Sequence, residues 1–208
     1  MERENCIEVS LSGTISPTVH NPQQSGTVTF NRFPATVEEF IQVREQIGGE
    51  PHGAVALQIM AYEMFRRDRT IGEECIGLNN TTNNMRSPLG RLKELFGNDA
   101  NYARPYQMAA FLKGATPQNG YNPSKPYTIE VRVNKVQTYQ YSNDYQATVL
   151  YLQAVTQGKS TGAEGVSVIK THRPGESSNG KYFIVFGCPG LYSSVQAVSF
   201  TAPFNGLD

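Results

Sequence analysis

Thirteen consecutive positions, Gly114 to Pro126 (Gly-Ala-Thr-Pro-Gln-Asn-Gly-Tyr-Asn-Pro-Ser-Lys-Pro), hold three prolines and two glycines. No helix or strand fits that spacing, because each proline lacks an amide proton and has its φ fixed. The hydrophobic period differs on the two sides of this connector. Before it, apolar residues recur mostly at helical spacing; after it, they alternate. The change divides the chain into a helical part at about 34–113, the connector 114–126 and a β part at 127–200. Helices followed by strands, rather than strands and helices in alternation, predict an α+β fold with an antiparallel sheet. The helices' apolar stripes need a sheet to cover, so residues 1–208 are expected to form a single domain.

Ile7, Val9, Leu11 and Ile15 lie among Glu8, Ser10 and Ser12, the period of a half-buried strand, with Gly13 as a break. Thr27-Val-Thr-Phe30 is a second strand, and the two are expected to pair as an amino-terminal β-hairpin with a long loop. Thr36-Val-Glu-Glu39 has the capping-box pattern and opens a helix that Gly48-Gly49 stops. Pro51 suits the first turn of the next helix, whose stripe is Ala54, Leu57, Ala61 and Met64. Thr70-Ile-Gly-Glu73 predicts a second capping box, and Ser87-Pro88 the start of a further short helix. Asn79 to Asn84 is a loop by composition, and a last helical turn or two covers Tyr106 to Leu112.

Past the connector, Tyr127, Ile129, Val131 and Val133 alternate cleanly with polar residues. Tyr145 to Val155 and a short segment at Val166 to Val168 read as strands. Asn179-Gly180 supplies the two positive φ values of a type I′ turn. The run Lys181 to Phe186 that follows is apolar enough to predict a central strand covered on both faces, with Val195 to Phe200 closing the sheet. The whole is a cluster of short helices followed by an antiparallel sheet of about five strands.

The 18 basic and 18 acidic residues cancel, so no global field draws the chain to nucleic acid or an anionic membrane. The split is uneven: residues 1–74 hold six basic and eleven acidic residues, the remainder twelve and seven. That asymmetry suits a head-to-tail self-contact or an anionic ligand, unless folding interleaves the charges. Apolar runs are too short for a transmembrane helix. Cys6, Cys75 and Cys188 are scattered and odd in number, which supports neither a disulfide framework nor a zinc site. The acidic first residues lack the basic start and apolar core of a secretory signal, so a cytoplasmic location is expected.

Phe111, Lys113, Gly114, Ala115, Thr116, Pro117, Asn119, Tyr121 and Pro123 form a Phe-x-Lys-Gly-Ala-Thr-Pro-x-Asn-x-Tyr-x-Pro segment. It resembles the core of a bacterial family of uncharacterised proteins known only as a domain of unknown function. Phe33-Pro-Ala-Thr-Val-Glu-Glu39 and the helix after it are similar too, so the resemblance spans roughly residues 33–200. The chain departs from that pattern around Asn79 to Arg86 and in having no Trp. The resemblance implies the fold and assigns no chemistry.

His20, His52 and His172 stand at no metal-ligand spacing, and no nucleotide-binding or nucleophile-elbow motif is present. No metal and no cofactor is expected. Cys188, in the Gly187-Cys-Pro-Gly190 turn, would need a neighbouring base to act as a nucleophile. Glu38-Glu39 and Glu73-Glu74 are accounted for by helix starts. Tyr139, Tyr141, Tyr145 and Tyr151, with Tyr121 and Tyr127, read either as an aromatic platform or as half-buried strand tyrosines. The connector reads either as a rigid spacer or as one wall of a cleft. In the second case Lys113 and Lys125 present charge and Tyr121 an aromatic face. The candidate ligand-binding set is therefore Lys113, Tyr121, Lys125, Tyr127, Tyr141 and Tyr145. The expected function is a non-catalytic binding or interaction module for a protein or small molecule. The alternative is a hydrolase-type enzyme using His172 or Cys188, with its site near the connector and the β half.

Overall fold

A computed structural model describes residues 6–17, 23–84, 86–135 and 147–208. The elements run β1 (Val9–Gly13), β2 (Ser25–Phe30), α1 (Val37–Ile47), α2 (Pro51–Arg67), α3 (Arg69–Asn79) and α4 (Arg86–Leu95). After the connector come β3 (Tyr127–Lys135), β4 (Ala147–Val155), β5 (Ala163–Thr171) and β6 (Ile184–Gly187). All six strands form one antiparallel sheet in sequence order. The fold is α+β, and the amino-terminal strand pair is part of the same sheet: β2 pairs with β3, Val28 opposite Ile129.

α2 lies across one face of that sheet, touching β2, β3, β4, β5 and β6. Pro51 through Phe65 are all buried, so this helix has no solvent face. The stripe of Ala54, Leu57, Ala61 and Met64 is correct but incomplete, because α1 and α3 cover the side turned away from the sheet. Small residues let them come close. A Cβ on Gly72 of α3 would collide with the Phe65 backbone, and one on Gly53 with Ile47. The core cluster runs in sequence from Ile15 to Leu207 and draws on both sides of the connector. Burial of this apolar surface is the main favourable term in folding.

Several local expectations need correction. α3 is capped by Asp68, whose carboxylate accepts from the Thr70 and Ile71 amides at 2.9 and 3.1 Å, not by a Thr70–Glu73 box. Asp68 accepts two bonds two residues earlier, so the helix starts there. At α1, Thr36 accepts from the Glu39 amide as expected, at 3.2 Å. The Glu39 carboxylate, however, takes the Ala35 amide and a bidentate bond from Arg32.

The apolar run 181–186 contributes β6, which is an outer strand and not a central one. Its two faces are nevertheless covered. Val185 enters the main core, while Ile184 joins Ala147, Val149 and Ile169 in a small cluster on the opposite face. Residues 195–200 form no strand, and Phe200 is fully exposed. Asn179 and Gly180 do have φ of 47° and 65°, but they sit inside a twelve-residue β5–β6 connection, 172–183, rather than in a two-residue hairpin.

Candidate functional site

The connector is braced by its own side chains. Thr116 Oγ1 accepts from the Asn119 backbone amide and Asn119 Oδ1 accepts from the Thr116 backbone amide, a capping box around the single turn Pro117–Asn119. The Asn119 amide group also donates to Gly114 O and Asn122 O, at 2.7 and 3.1 Å. Gly120 has φ +69° and packs against the backbone of Ala202 and Pro203, so no side chain fits there. Tyr121 follows with φ 55°, a conformation a tyrosine holds only under strong constraint.

That constraint is visible. The Tyr121 ring is buried and stacks on Tyr106 with centroids 5.0 Å apart, and its hydroxyl donates to Gln196 O at 2.8 Å. Burial pushes its hydroxyl pKa up to about 12. Tyr127 is buried as well, against Phe30 and Phe33, and donates to the Asp208 carboxylate at 2.6 Å. Burial, then the Asp208 bond, raises Tyr127 to about 12; bonds from Lys125 and Tyr127 hold Asp208 down at about 2.

The candidate residues therefore separate. Tyr121 and Tyr127 turn their rings into the core. Lys113 and Lys125 keep their ammonium groups at the surface, each beside a carboxylate: Glu130 at 3.4 Å from Lys113, and Asp208 from Lys125. Tyr141 and Tyr145 lie outside the described residues, as do Tyr139 and His20. Tyr151 sits on the sheet face opposite the helices, edge-on to Phe186 at 6.3 Å.

Where the connector begins, it meets the end of β4. Beyond Val155 the edge of β3 has no strand partner, and the Lys113 amide takes Thr128 O at 2.8 Å. The junction leaves a groove of about 210 Å³ lined by Phe111, Leu112, Lys113 and Gly114 on one side and by Glu130, Thr156 and Gln157 on the other. Thr156 is fully engaged, donating to Ala110 O at 2.6 Å and accepting from the Gly158 amide at 3.0 Å. The groove thus has an apolar floor, a fixed wall and one charge of each sign at its mouth. Lys113 and Glu130 are far apart in sequence; the return of the chain into β3 brings them together.

Sequence reasoning missed a second hollow, of about 150 Å³, where Thr81, Asn83, Arg173 and Glu176 meet Ile169 and Phe186. Glu176 is buried and accepts from the Thr82 amide at 3.1 Å. The Asn-rich composition at 79–84 was the available signal, and it read only as a loop.

The residues considered for hydrolysis do not assemble. Cys188 is fully buried, its thiol pushed up to about 12 by burial, and its hydrogen-bond partner is Tyr62 Oη at 3.2 Å. His172 is exposed and lies over Gly180. His52 is buried against Gly26 with neither ring nitrogen hydrogen-bonded. Among the described residues no group of three or more His, Cys, Asp or Glu is placed to hold a metal. No helix among them is long and apolar enough to cross a membrane.

These features define an α+β domain in which a braced, proline-rich loop walls a surface groove beside an antiparallel sheet. By its sequence the chain belongs to the DUF6935 family, a domain of unknown function, whose model matches residues 32–199. No curated protein and no solved structure matches the chain.

Proposed function

We propose that this protein is a non-catalytic binding module whose ligand, a peptide segment or a small polar molecule, lies in the groove between the connector and the end of β4. One observation carries the reading. A loop held by reciprocal side-chain bonds presents Lys113 opposite Glu130 above the apolar floor of Phe111 and Leu112. Ordering such a wall before binding removes a cost that a mobile loop would incur on complex formation. A ligand with an apolar body and a zwitterionic or amide edge satisfies both charges. Lys125, further along the same wall, would extend the charged rim.

Three buried or exposed free thiols at Cys6, Cys75 and Cys188 support a reducing, cytoplasmic setting. The resemblance at the connector supports a bacterial source. The continuous core from Ile15 to Leu207 supports reading residues 1–208 as one domain.

The test is an amide-shift screen of ¹⁵N-labelled protein against capped dipeptides of all charge combinations. Binding should move the amides of Lys113, Gly114, Glu130 and Gln157, and a charge reversal at Lys113 should abolish the response. Shifts confined to other surfaces, or turnover in a broad hydrolase screen, would replace this reading with another.

A further inference from the structure

Six strands in one open sheet leave two outer edges, and an unpaired edge is a template for another strand. Hydrogen-bond parity identifies which groups β1 leaves unused. The Asn31 amide donates to Glu8 O, so the pair Glu8–Asn31 is hydrogen-bonded. In the register Val9–Phe30, Ser10–Thr29, Leu11–Val28, the bonded pairs alternate and fall at Ser10 and Ser12. The opposite edge of β2 obeys the same parity, since the Val133 amide donates to Gln24 O and Val28 pairs with Ile129. The backbone groups of Val9 and Leu11 and the amide of Gly13 therefore point away from the sheet, and none of them has a hydrogen-bond partner among the described residues; the Gly13 carbonyl is turned out of the ladder by a φ of 77°.

The chemical protections of an outer strand are missing. Val9-Ser-Leu-Ser-Gly13 carries no charge and no proline, and its short edge ends at Gly13, whose φ is 77°. Val9 and Leu11 are half-buried on the helix side, while Ser10 and Ser12 are exposed on the other. The segment is also self-complementary. Antiparallel pairing of two copies about Leu11 sets Val9 opposite Gly13, Leu11 opposite Leu11 and Ser10 opposite Ser12. The Leu11 pair then exchanges two bonds and each Gly13 amide reaches a Val9 carbonyl, about four bonds in total. Glu8 stands opposite Thr14, so no like charges meet.

We propose that β1 is a homodimerisation edge: two copies join their β1 strands antiparallel across a two-fold axis at Leu11, continuing one sheet through both. The isologous geometry closes on itself and leaves β6 as the outer strand at both ends. A contact this short places the dimer in the weak, concentration-dependent class.

Sedimentation equilibrium of the full chain at roughly 10 to 500 μM, the range expected for a small interface, reads the association directly. Wild type should pass from monomer to dimer across that range. The double substitution Ser10→Lys with Ser12→Lys should stay monomeric throughout, since it sets lysines opposite each other while touching only exposed positions. Ser10→Glu with Ser12→Glu should do the same alone. An equimolar mixture of the two variants should dimerise, because each lysine then faces a glutamate. A wild type that remains monomeric at the highest concentration overturns the proposal, and so does a lysine variant that dimerises like wild type. Failure of the mixture to dimerise overturns the Leu11-centred register. Thermal melts of each variant within a degree or two of wild type show that the monomer fold is intact.

Discussion

At β6 the outer edge of the sheet is occupied by other chain; at β1 no residue among those described pairs with it. Asn80 bridges Val185 in parallel, and the Thr81 amide donates to Val185 O at 2.9 Å. Those two residues are delivered by α3, and α3 is held in place by buried amides. The Asn79 and Asn80 side chains both donate to Gln58 Oε1, at 2.9 and 2.8 Å. Asn79 also donates to Ala54 O and Asn80 to Ile76 O. The Asn79 and Asn80 donors are matched, while Gln58 Nε2 and Asn79 Oδ1 are buried without a hydrogen-bond partner, and the bonds that are made hold the helix end in one position. β1 has no counterpart: the exposed serines 10 and 12 neither cover the edge nor repel a visitor. The contrast shows that edge protection at β6 is a tertiary device: the chain leaving α3 pairs with that strand, whereas α1 packs against β1 without pairing with its backbone among the described residues.

The largest expected effect comes from breaking the covered edge at its root. Gly72→Val drives a side chain into the Phe65 backbone, so α3 cannot sit on α2 and Asn80 cannot reach β6. A loss of roughly 4 kcal/mol or more, or failure to fold, is expected in urea denaturation. Tyr121→Ala probes the connector, which covers the stretch of β3 beyond β4. Removing this buried ring from its stack on Tyr106 should cost about 3 kcal/mol, with fast amide exchange at Lys113 if the loop comes free.

Gln58→Leu leaves two buried amide groups one acceptor short and should cost about 2 kcal/mol. The accompanying signature is faster exchange at Thr81 than at Leu11's partners in β2. His52 gives a smaller, pH-dependent effect near the bare edge. Burial holds its pKa below the ordinary 6.5. As pH falls below that value the unfolded chain takes up a proton that the folded chain refuses, so stability present above 6.5 is progressively lost. The slope should approach 1.4 kcal/mol per pH unit at most, about one proton's worth. A His52→Leu variant should lack this increment when both proteins are melted between pH 7.5 and pH 5. Smallest of all, Ser10→Lys at the bare edge should change monomer stability by less than about 0.5 kcal/mol, because nothing rests on it. A large loss there would mean that the edge is covered after all.

Much of the fold is legible in the residues. The period-two runs place β1, β2 and β3, and Pro51 and Gly48-Gly49 bound α1 and α2, because local sterics and one buried face suffice to select those states. The Asn179-Gly180 turn is legible for the same reason. Lys181 to Phe186 is misread as central, since an apolar run reports only that both faces are covered and is silent on which strands lie alongside. The site is less legible than the fold. Lys113 and Gly114 are marked by the connector, but Glu130 is one of several outward-facing polar residues in β3 until the loop is placed against it. Tyr121 reads equally well as platform or core, and the decision rests with Tyr106, Gln196 and the 202–203 backbone.

What the sequence determined by itself is therefore the local grammar: which segments are helix, strand or turn, where the connector lies, and that no charge excess or motif selects a known chemistry. What only the tertiary structure decided is every pairing between distant residues. Lys113 meets Glu130, Asn80 caps β6, Asp208 closes on Tyr127, and the outer edge of β1 has no partner among the described residues. The physical reason is range. Propensity, capping and period act within a few residues, whereas burial and hydrogen-bond satisfaction are properties of neighbours that only the folded chain supplies.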